Sequence, residues 1–239
     1  MSAAFEELDY RPTRLGPLSL RRRKHLALGT DIYEIKLGEE FLMSSLFTVS
    51  EVALARLGLA ELSEPSVDVV VGGLGLGCTA RAVLDHAHVH SLVVIEALPE
   101  VIEWHEAGLL PLGAGLTADR RCRLVQGDFF AMIASATTGL DPERADRRFH
   151  AILVDIDHSP RHVLDPSHAA LYEAEGLRRI SKHLHPSGVF ALWSNDPPDE
   201  QFGAILADVF VTSRAEVVSF HNPLQDRDAT ATIYVARTA

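Results

Sequence analysis

The chain has 239 residues, 47% of them hydrophobic and 23% charged, proportions that suit one large globular core with at most a small appendage. A formal net charge of -11 excludes a general binder of the phosphate backbone, which gains affinity by clustering Lys and Arg, so nucleic acid is not an expected partner. No apolar run approaches bilayer-spanning length, and Met1 to Asp9 lacks both an apolar core segment and a small-residue cleavage site, so a cytoplasmic protein with no membrane contact is expected.

From Leu8 to Leu37 the pattern is one of short strands broken by turn residues. Pro12 and Leu15-Gly16-Pro17 interrupt it, and Ile32-Tyr33-Glu34-Ile35 alternates with period two. Residues 1–44 are therefore expected to form a small β-rich leader, with the basic run Arg21-Arg22-Arg23-Lys24 as a solvated strand end. Ser44-Ser45 then offers an N-cap to a helix over Leu46 to Leu57, whose Leu46, Val49, Val52, Ala53 and Leu57 share helical spacing, with Gly58 as its stop. Beyond it, Val67 to Val71, Leu92 to Ile95, Cys122 to Val125, Ala151 to Val154 and Val189 to Trp193 read as apolar strands separated by amphipathic stretches. Such strands belong to a parallel sheet covered on both faces. The last two strands, Ala215 to Phe220 and Ala229 to Val235, are joined by a short turn-rich segment that suits an antiparallel hairpin. The expectation is an α/β, Rossmann-like domain over residues 45–239, its mostly parallel seven-stranded sheet ending in that hairpin. Cys78 and Cys122 make neither a disulfide framework nor a zinc-type cluster and read as buried free thiols.

The sharpest motif is Val69-Val70-Val71-Gly72-Gly73-Leu74-Gly75-Leu76-Gly77, after a strand and before a helix starting near Thr79. Glycines there turn the chain tightly and admit a ligand close to the backbone. At the next strand end stands Glu96, placed to accept hydrogen bonds from both hydroxyls of a ribose, or else to complement a helix dipole. After the third strand comes Gly127-Asp128-Phe129, where Asp128 suits an adenine amino group with Phe129 against the ring, or else caps the following helix. Gly72, Gly73, Gly75, Gly77, Glu96, Gly127, Asp128 and Phe129 together describe a site for an adenosine. No basic residue in the loop neutralises a diphosphate.

These motifs resemble the spermidine synthase family, the polyamine aminopropyltransferases, over about residues 67 to 195. The likeness runs through Gly72-Gly73 with Gly75 and Gly77, Glu96 with Val101-Ile102-Glu103, Asp119 to Val125, Gly127-Asp128, Phe149 to Asp155, Leu171-Tyr172 and Pro186 to Phe190. The resemblance implies a β-rich N-terminal piece that often takes part in homodimer contacts, a class I methyltransferase-like fold, and a nucleoside sulfonium co-substrate. That co-substrate would be S-adenosylmethionine or decarboxylated S-adenosylmethionine, with a small-molecule amine as acceptor. The chain departs from the family at two places. The family loop, Gly-Gly-Gly-Asp-Gly-Gly, holds the donor's aminopropyl amine on its Asp, where this chain has Gly75. The family's Asp-Ser-Ser-Asp-Pro after the fourth strand reads Asp155-Ile156-Asp157-His158-Ser159-Pro160, with the second acid one position early.

Transfer of an alkyl group from a sulfonium is an in-line displacement in which the enzyme positions the acceptor and takes its proton. Asp155 is the expected catalytic carboxylate, Asp157 a second acid to orient an ammonium, and His158 a titratable neighbour. His158, His162 and Asp165 do not share a helical face, and no metal is expected. Tyr33, Tyr172 and Trp193 are expected walls of the acceptor pocket, Trp193 equally being ordinary core. Three functions stay open: aminopropyl transfer to a diamine such as putrescine with release of methylthioadenosine, methyl transfer from S-adenosylmethionine to a small acceptor, and an inactive nucleoside-binding or assembly module.

Overall fold

The structure, a computed structural model, describes residues 5–26, 29–135 and 137–239. Residues 1–4 of the expected leader lie outside it. Strands β1 (Phe5–Thr13), β2 (Gly16–His25), β3 (Thr30–Leu37) and β4 (Glu40–Ser44) form an antiparallel sheet in the order β1-β2-β3-β4. The basic run lies inside β2 and is matched across the strands: Arg21 to Glu7, Arg22 to Glu6, and Arg23 to Glu34 at 2.8 Å. Arg21 and Arg23 share one face with Glu7 and Glu34, while the Arg22–Glu6 pair lies on the opposite face beyond Leu20, and such pairs add little stability but help fix the register. On the face of Leu18 and Leu20, these two and Ile35 join the core of the main domain, so one apolar cluster spans leader and sheet.

Helix α1 (Val49–Leu59) connects this leader to a seven-stranded sheet. The chain then runs through β5 (Val67–Gly72), α2 (Cys78–Leu84), β6 (Val89–Glu96), α3 (Pro99–Glu106), α4 (Gly113–Ala118), β7 (Cys122–Gln126), α5 (Phe129–Ala134) and β8 (Phe149–Val154). A 3-10 helix (Pro166–Tyr172), α6 (Ala174–Lys182), β9 (Leu184–Ser194), α7 (Glu200–Val209), β10 (Thr212–Asn222) and β11 (Arg227–Arg237) complete it. The sheet order is β10-β11-β9-β8-β5-β6-β7, with β7 to β9 parallel through the centre and β11 antiparallel to both β9 and β10. Alternate residues of each central strand enter different cores, Val69 and Val71 on one face and Val70 on the other. This is why these strands read as unbroken apolar runs. Because β6 follows β5 on one side and β8 lies on the other, the strand order reverses at β5, and a crevice opens beyond its carboxyl end.

Helix α1 differs from the sequence expectation in three ways. Ser44 and Ser45 do not cap it: Ser45 Oγ accepts the Tyr33 N–H at 2.9 Å and Ser44 Oγ the Leu46 N–H at 3.3 Å, closing the leader sheet, while Thr48 holds the cap position without a side-chain bond. Gly58 does not stop it either. A Cβ at Gly58 would stand 2.6 Å from Leu153 Cδ2, so the glycine lets the helix lie close on the sheet. The face is also rotated, with Val49 and Val52 half exposed and Glu51 buried. No helix among the described residues is long and apolar enough to cross a membrane.

Candidate functional site

A cavity of about 600 Å³ fills the crevice, floored by the glycine loop and the ends of β5, β6 and β8 and roofed by β3, β4 and the β10–β11 hairpin. The loop is tied to its neighbours by backbone bonds from Gly73 N–H to Ile95 C=O and from Asp155 N–H to Gly72 C=O, both 2.9 Å. Gly73 has φ +95, and a Cβ there would run into the Asp155 carbonyl oxygen, so only glycine fits. From beneath, His105 Nε2 donates to the Gly75 carbonyl at 2.8 Å. Burial holds that histidine below its ordinary pKa, opposed by this bond to the Gly75 carbonyl.

Glu96 lies on the cavity wall, its oxygens accepting the N–H groups of Leu74 at 3.0 Å and Leu98 at 2.9 Å. Burial pushes its pKa up, opposed by those backbone donors. The Gly75 and Ala97 N–H groups also face this carboxylate. Asp128 does cap α5, taking the Ala131 N–H at 3.1 Å on Oδ1, while Oδ2 stands 4.0 Å from the Arg14 guanidinium and the residue also lines the cavity. Phe129 lies under the loop, against the place where a Gly72 side chain would be. Next to it Phe130 stacks on His168 with ring centroids 3.6 Å apart. Gly127 and Phe129 both line this end. The nucleoside set proposed from sequence is thus gathered on one wall, except for Gly72 and Gly77, which shape the loop without lining the cavity.

At the other end of the loop Asp155 accepts the Thr79 hydroxyl at 2.6 Å, and burial raises its pKa to about 6. Facing the same space from α1 is Glu51, which the sequence reading did not single out. Burial first, and the Asp155 charge second, push Glu51 to about 7, with the Ser50 hydroxyl donating to it at 2.8 Å. The Cys78 thiol is driven to about 12 by burial and by these two acids, and the Cys122 thiol to about 12 by burial and Asp119, so neither is a ready nucleophile. The signal for Glu51 was hidden because its neighbours Val49 and Val52 carry the apolar periodicity that places it on the wet face. Both carboxylates have folded pKa values above those of an open chain. The native state therefore holds extra protons, an advantage present at acid pH and lost as pH rises from about 4 through about 7. Glu51→Gln should raise unfolding free energy by about 1–3 kcal/mol at pH 8 and by far less at pH 4, read by urea denaturation at both pH values.

Three residues expected at the site, Asp157, Tyr172 and Tyr33, are placed differently. Asp157 points away from the cavity and is only 1% exposed; it accepts from the Leu164 N–H (2.8 Å), His168 Nδ1 (2.9 Å) and the Tyr172 hydroxyl (2.7 Å). It organises the segment after β8, and Tyr172 is buried with it and does not line the cavity. Asp157→Ala would strand a buried hydroxyl and an N–H, costing about 2–4 kcal/mol in a urea denaturation experiment. Tyr33 shares a face of β3 with Ile35 and Leu37, but only those two reach the cavity. His158 lines the wall, with Nε2 3.6 Å from Glu40. Trp193 lines it too, and its Nε1 is buried with no hydrogen-bond partner among the described residues. His162 sits outside, against Asp196 at 3.2 Å. Among the described residues no group of three or more His, Cys, Asp or Glu is arranged to hold a metal ion.

Gly75 marks the departure from the family loop. A Cβ there would collide with Met43 Sδ, which comes from β4 and accepts the Leu76 N–H at 3.0 Å. The space of the family's loop carboxylate is filled by a thioether.

The family model of the spermine/spermidine synthase domain matches residues 47–213. The polyamine aminopropyltransferase 2 of Pseudomonas aeruginosa is 29% identical over 167 residues, 66% of this chain and 44% of that protein. The chain thus spans less than half the length of this curated relative. The crystal structure of spermidine synthase from Thermotoga maritima superposes with a TM-score of 0.73 at 18% identity, over 98% of this chain and 73% of that one. A spermidine synthase bound to the transition-state analogue AdoDATO gives 0.72 at 17% identity, over 98% and 72%.

Proposed function

We propose, for a chain that belongs to the spermine/spermidine synthase family, that the cavity moves an aminopropyl group from decarboxylated S-adenosylmethionine to a small amine and releases methylthioadenosine. The observation that carries this reading is the pair of buried acids, Asp155 and Glu51, at the end of the glycine loop. Arg14 is the one Lys or Arg on the cavity wall among the described residues, and it stands by Asp128 at the nucleoside end. A donor bearing sulfonium and ammonium charges complements two carboxylates. A donor that also carries a carboxylate would meet both acids with no cation nearby.

In this reading Glu96 takes the ribose hydroxyls and Asp128 with Phe129 the adenine. The acceptor enters as an ammonium and gives a proton to Asp155 or Glu51, whose raised pKa values suit proton exchange near neutrality. Its nitrogen lone pair attacks the propyl carbon bound to sulfur, the C–S electron pair leaves on sulfur, and a neutral thioether departs. The new secondary ammonium carries its second proton away.

One observation favours a second reading, methyl transfer from S-adenosylmethionine. With Met43 against Gly75, the loop offers no carboxylate to an aminopropyl amine. Isothermal titration with both donors and with methylthioadenosine, followed by mass spectrometry of the thioether formed with amines, separates the readings. Methylthioadenosine is the expected product, S-adenosylhomocysteine would select methyl transfer, and absence of binding by all three would sink both. The double change Met43→Ala with Gly75→Asp should restore a carboxylate in its space and tighten the decarboxylated donor by about tenfold, the scale of one added ion contact, without tightening S-adenosylmethionine.

A further inference from the structure

The cavity extends past Asp155 and Glu51 into a lobe bounded by Phe47, Trp193, Phe220, Ala229 and Ala231. Phe47 leads into α1 and Phe220 lies on the terminal hairpin, paired in register with Ala229. Their rings meet at 6.2 Å between centroids. We propose that this lobe receives the body of the acceptor, and that the acceptor is a monoamine with an apolar, ring-sized body in place of a diamine. The proposal rests on the amine-acceptor reading above.

The argument is one of charge accounting. The acids on the cavity wall are Glu51, Glu96, Asp128, Asp155 and Asp165. Glu96 serves the ribose position, and Asp128 and Asp165 both stand at the nucleoside end, Asp128 4.0 Å from the Arg14 guanidinium and Asp165 within the field of Arg14 and His168. Only Glu51 and Asp155 remain for the reacting amine. Beyond them the lobe presents rings and methyl groups. The Asn222 side-chain oxygen is taken by the N–H groups of Leu224 and Gln225 in the hairpin turn, and Asn195 offers only a neutral amide. Glu40 is engaged by His158 and does not line the cavity. A diamine reaching the donor with one nitrogen would leave its second ammonium in this lobe without a counter-charge. Ring faces return only part of the hydration lost there. An apolar body gains instead from the same surfaces.

The test is titration of the full chain, saturated with methylthioadenosine, with 2-phenylethylamine and with 1,4-diaminobutane. The monoamine should bind at least about tenfold more tightly, as expected when an ion is buried unpaired. Equal affinities, the reverse order, or binding of neither amine overturns the proposal. Phe220→Asp should shift the ratio toward the diamine by about tenfold and Phe220→Leu should leave it near the parent value. A folded Phe220→Asp protein with an unchanged ratio also overturns it, and if that variant does not fold, the parent ratio decides alone. Failure of the transfer reading shows separately: the amine binds, yet the decarboxylated donor yields no methylthioadenosine.

Discussion

Asp155→Asn should lower turnover by about 10²–10⁴-fold, the usual contribution of a positioned general base, while donor affinity changes by no more than a few-fold. The asymmetry follows from where Asp155 stands. It accepts one hydrogen bond, from Thr79, and asparagine retains an oxygen for it, so the loop and the nucleoside wall stay intact. In the proposed transfer, what disappears is the charge that orients the attacking ammonium and the site that takes its proton. If the proposed transfer holds, the ionised acids are the working forms in the parent protein, so kcat/KM should climb as pH rises past about 6 and level above about 7. Asp155→Asn should remove the lower of these limbs. Single-turnover release of methylthioadenosine across this range measures both effects. An unchanged pH profile in the variant would remove Asp155 from proton transfer.

Gly73→Ala is the substitution with the largest expected effect on the fold of the site. Two penalties add at one residue: φ +95 is a conformation that L residues rarely adopt, and the new Cβ meets the Asp155 carbonyl oxygen, a backbone atom of the neighbouring strand end. The expected cost is about 3 kcal/mol or more, with donor binding reduced by over about 100-fold because the loop must lift off β8. Gly75→Ala provides the internal comparison. Its Cβ meets only Met43 Sδ, the far part of a flexible side chain that can swing aside, and its cost should fall to about 1 kcal/mol when Met43→Ala is added. Urea denaturation and donor titration on the four proteins distinguish backbone collision from side-chain crowding. Equal losses at the two glycines would refute the steric account.

The fold was legible because its signals are local. A strand buried on both faces must be apolar at successive positions, as Val69, Val70 and Val71 are. The convergence of Gly73, Glu96 and Asp128 on one cavity wall was legible for a related reason: in a parallel sheet each strand end delivers its following residues to the same edge. Asp157 shows where this reasoning stops. It follows Asp155 by two residues, yet the chain turns between them and the second carboxylate is consumed by Leu164, His168 and Tyr172.

The sequence by itself determined the alternation of strands and helices, the gathering of the glycine loop, Glu96 and Asp128 at one sheet edge, and the missing loop carboxylate at Gly75. Only the tertiary structure decided what stands in that carboxylate's place and what faces Asp155. Met43 arrives from the leader sheet, Glu51 from a helix whose buried face is set by the sheet beneath Gly58, and Phe220 from the last hairpin. No periodicity ties such residues to the glycine loop. Their meeting depends on how separate elements pack, and a side chain's local pattern does not encode which distant surface it will cover.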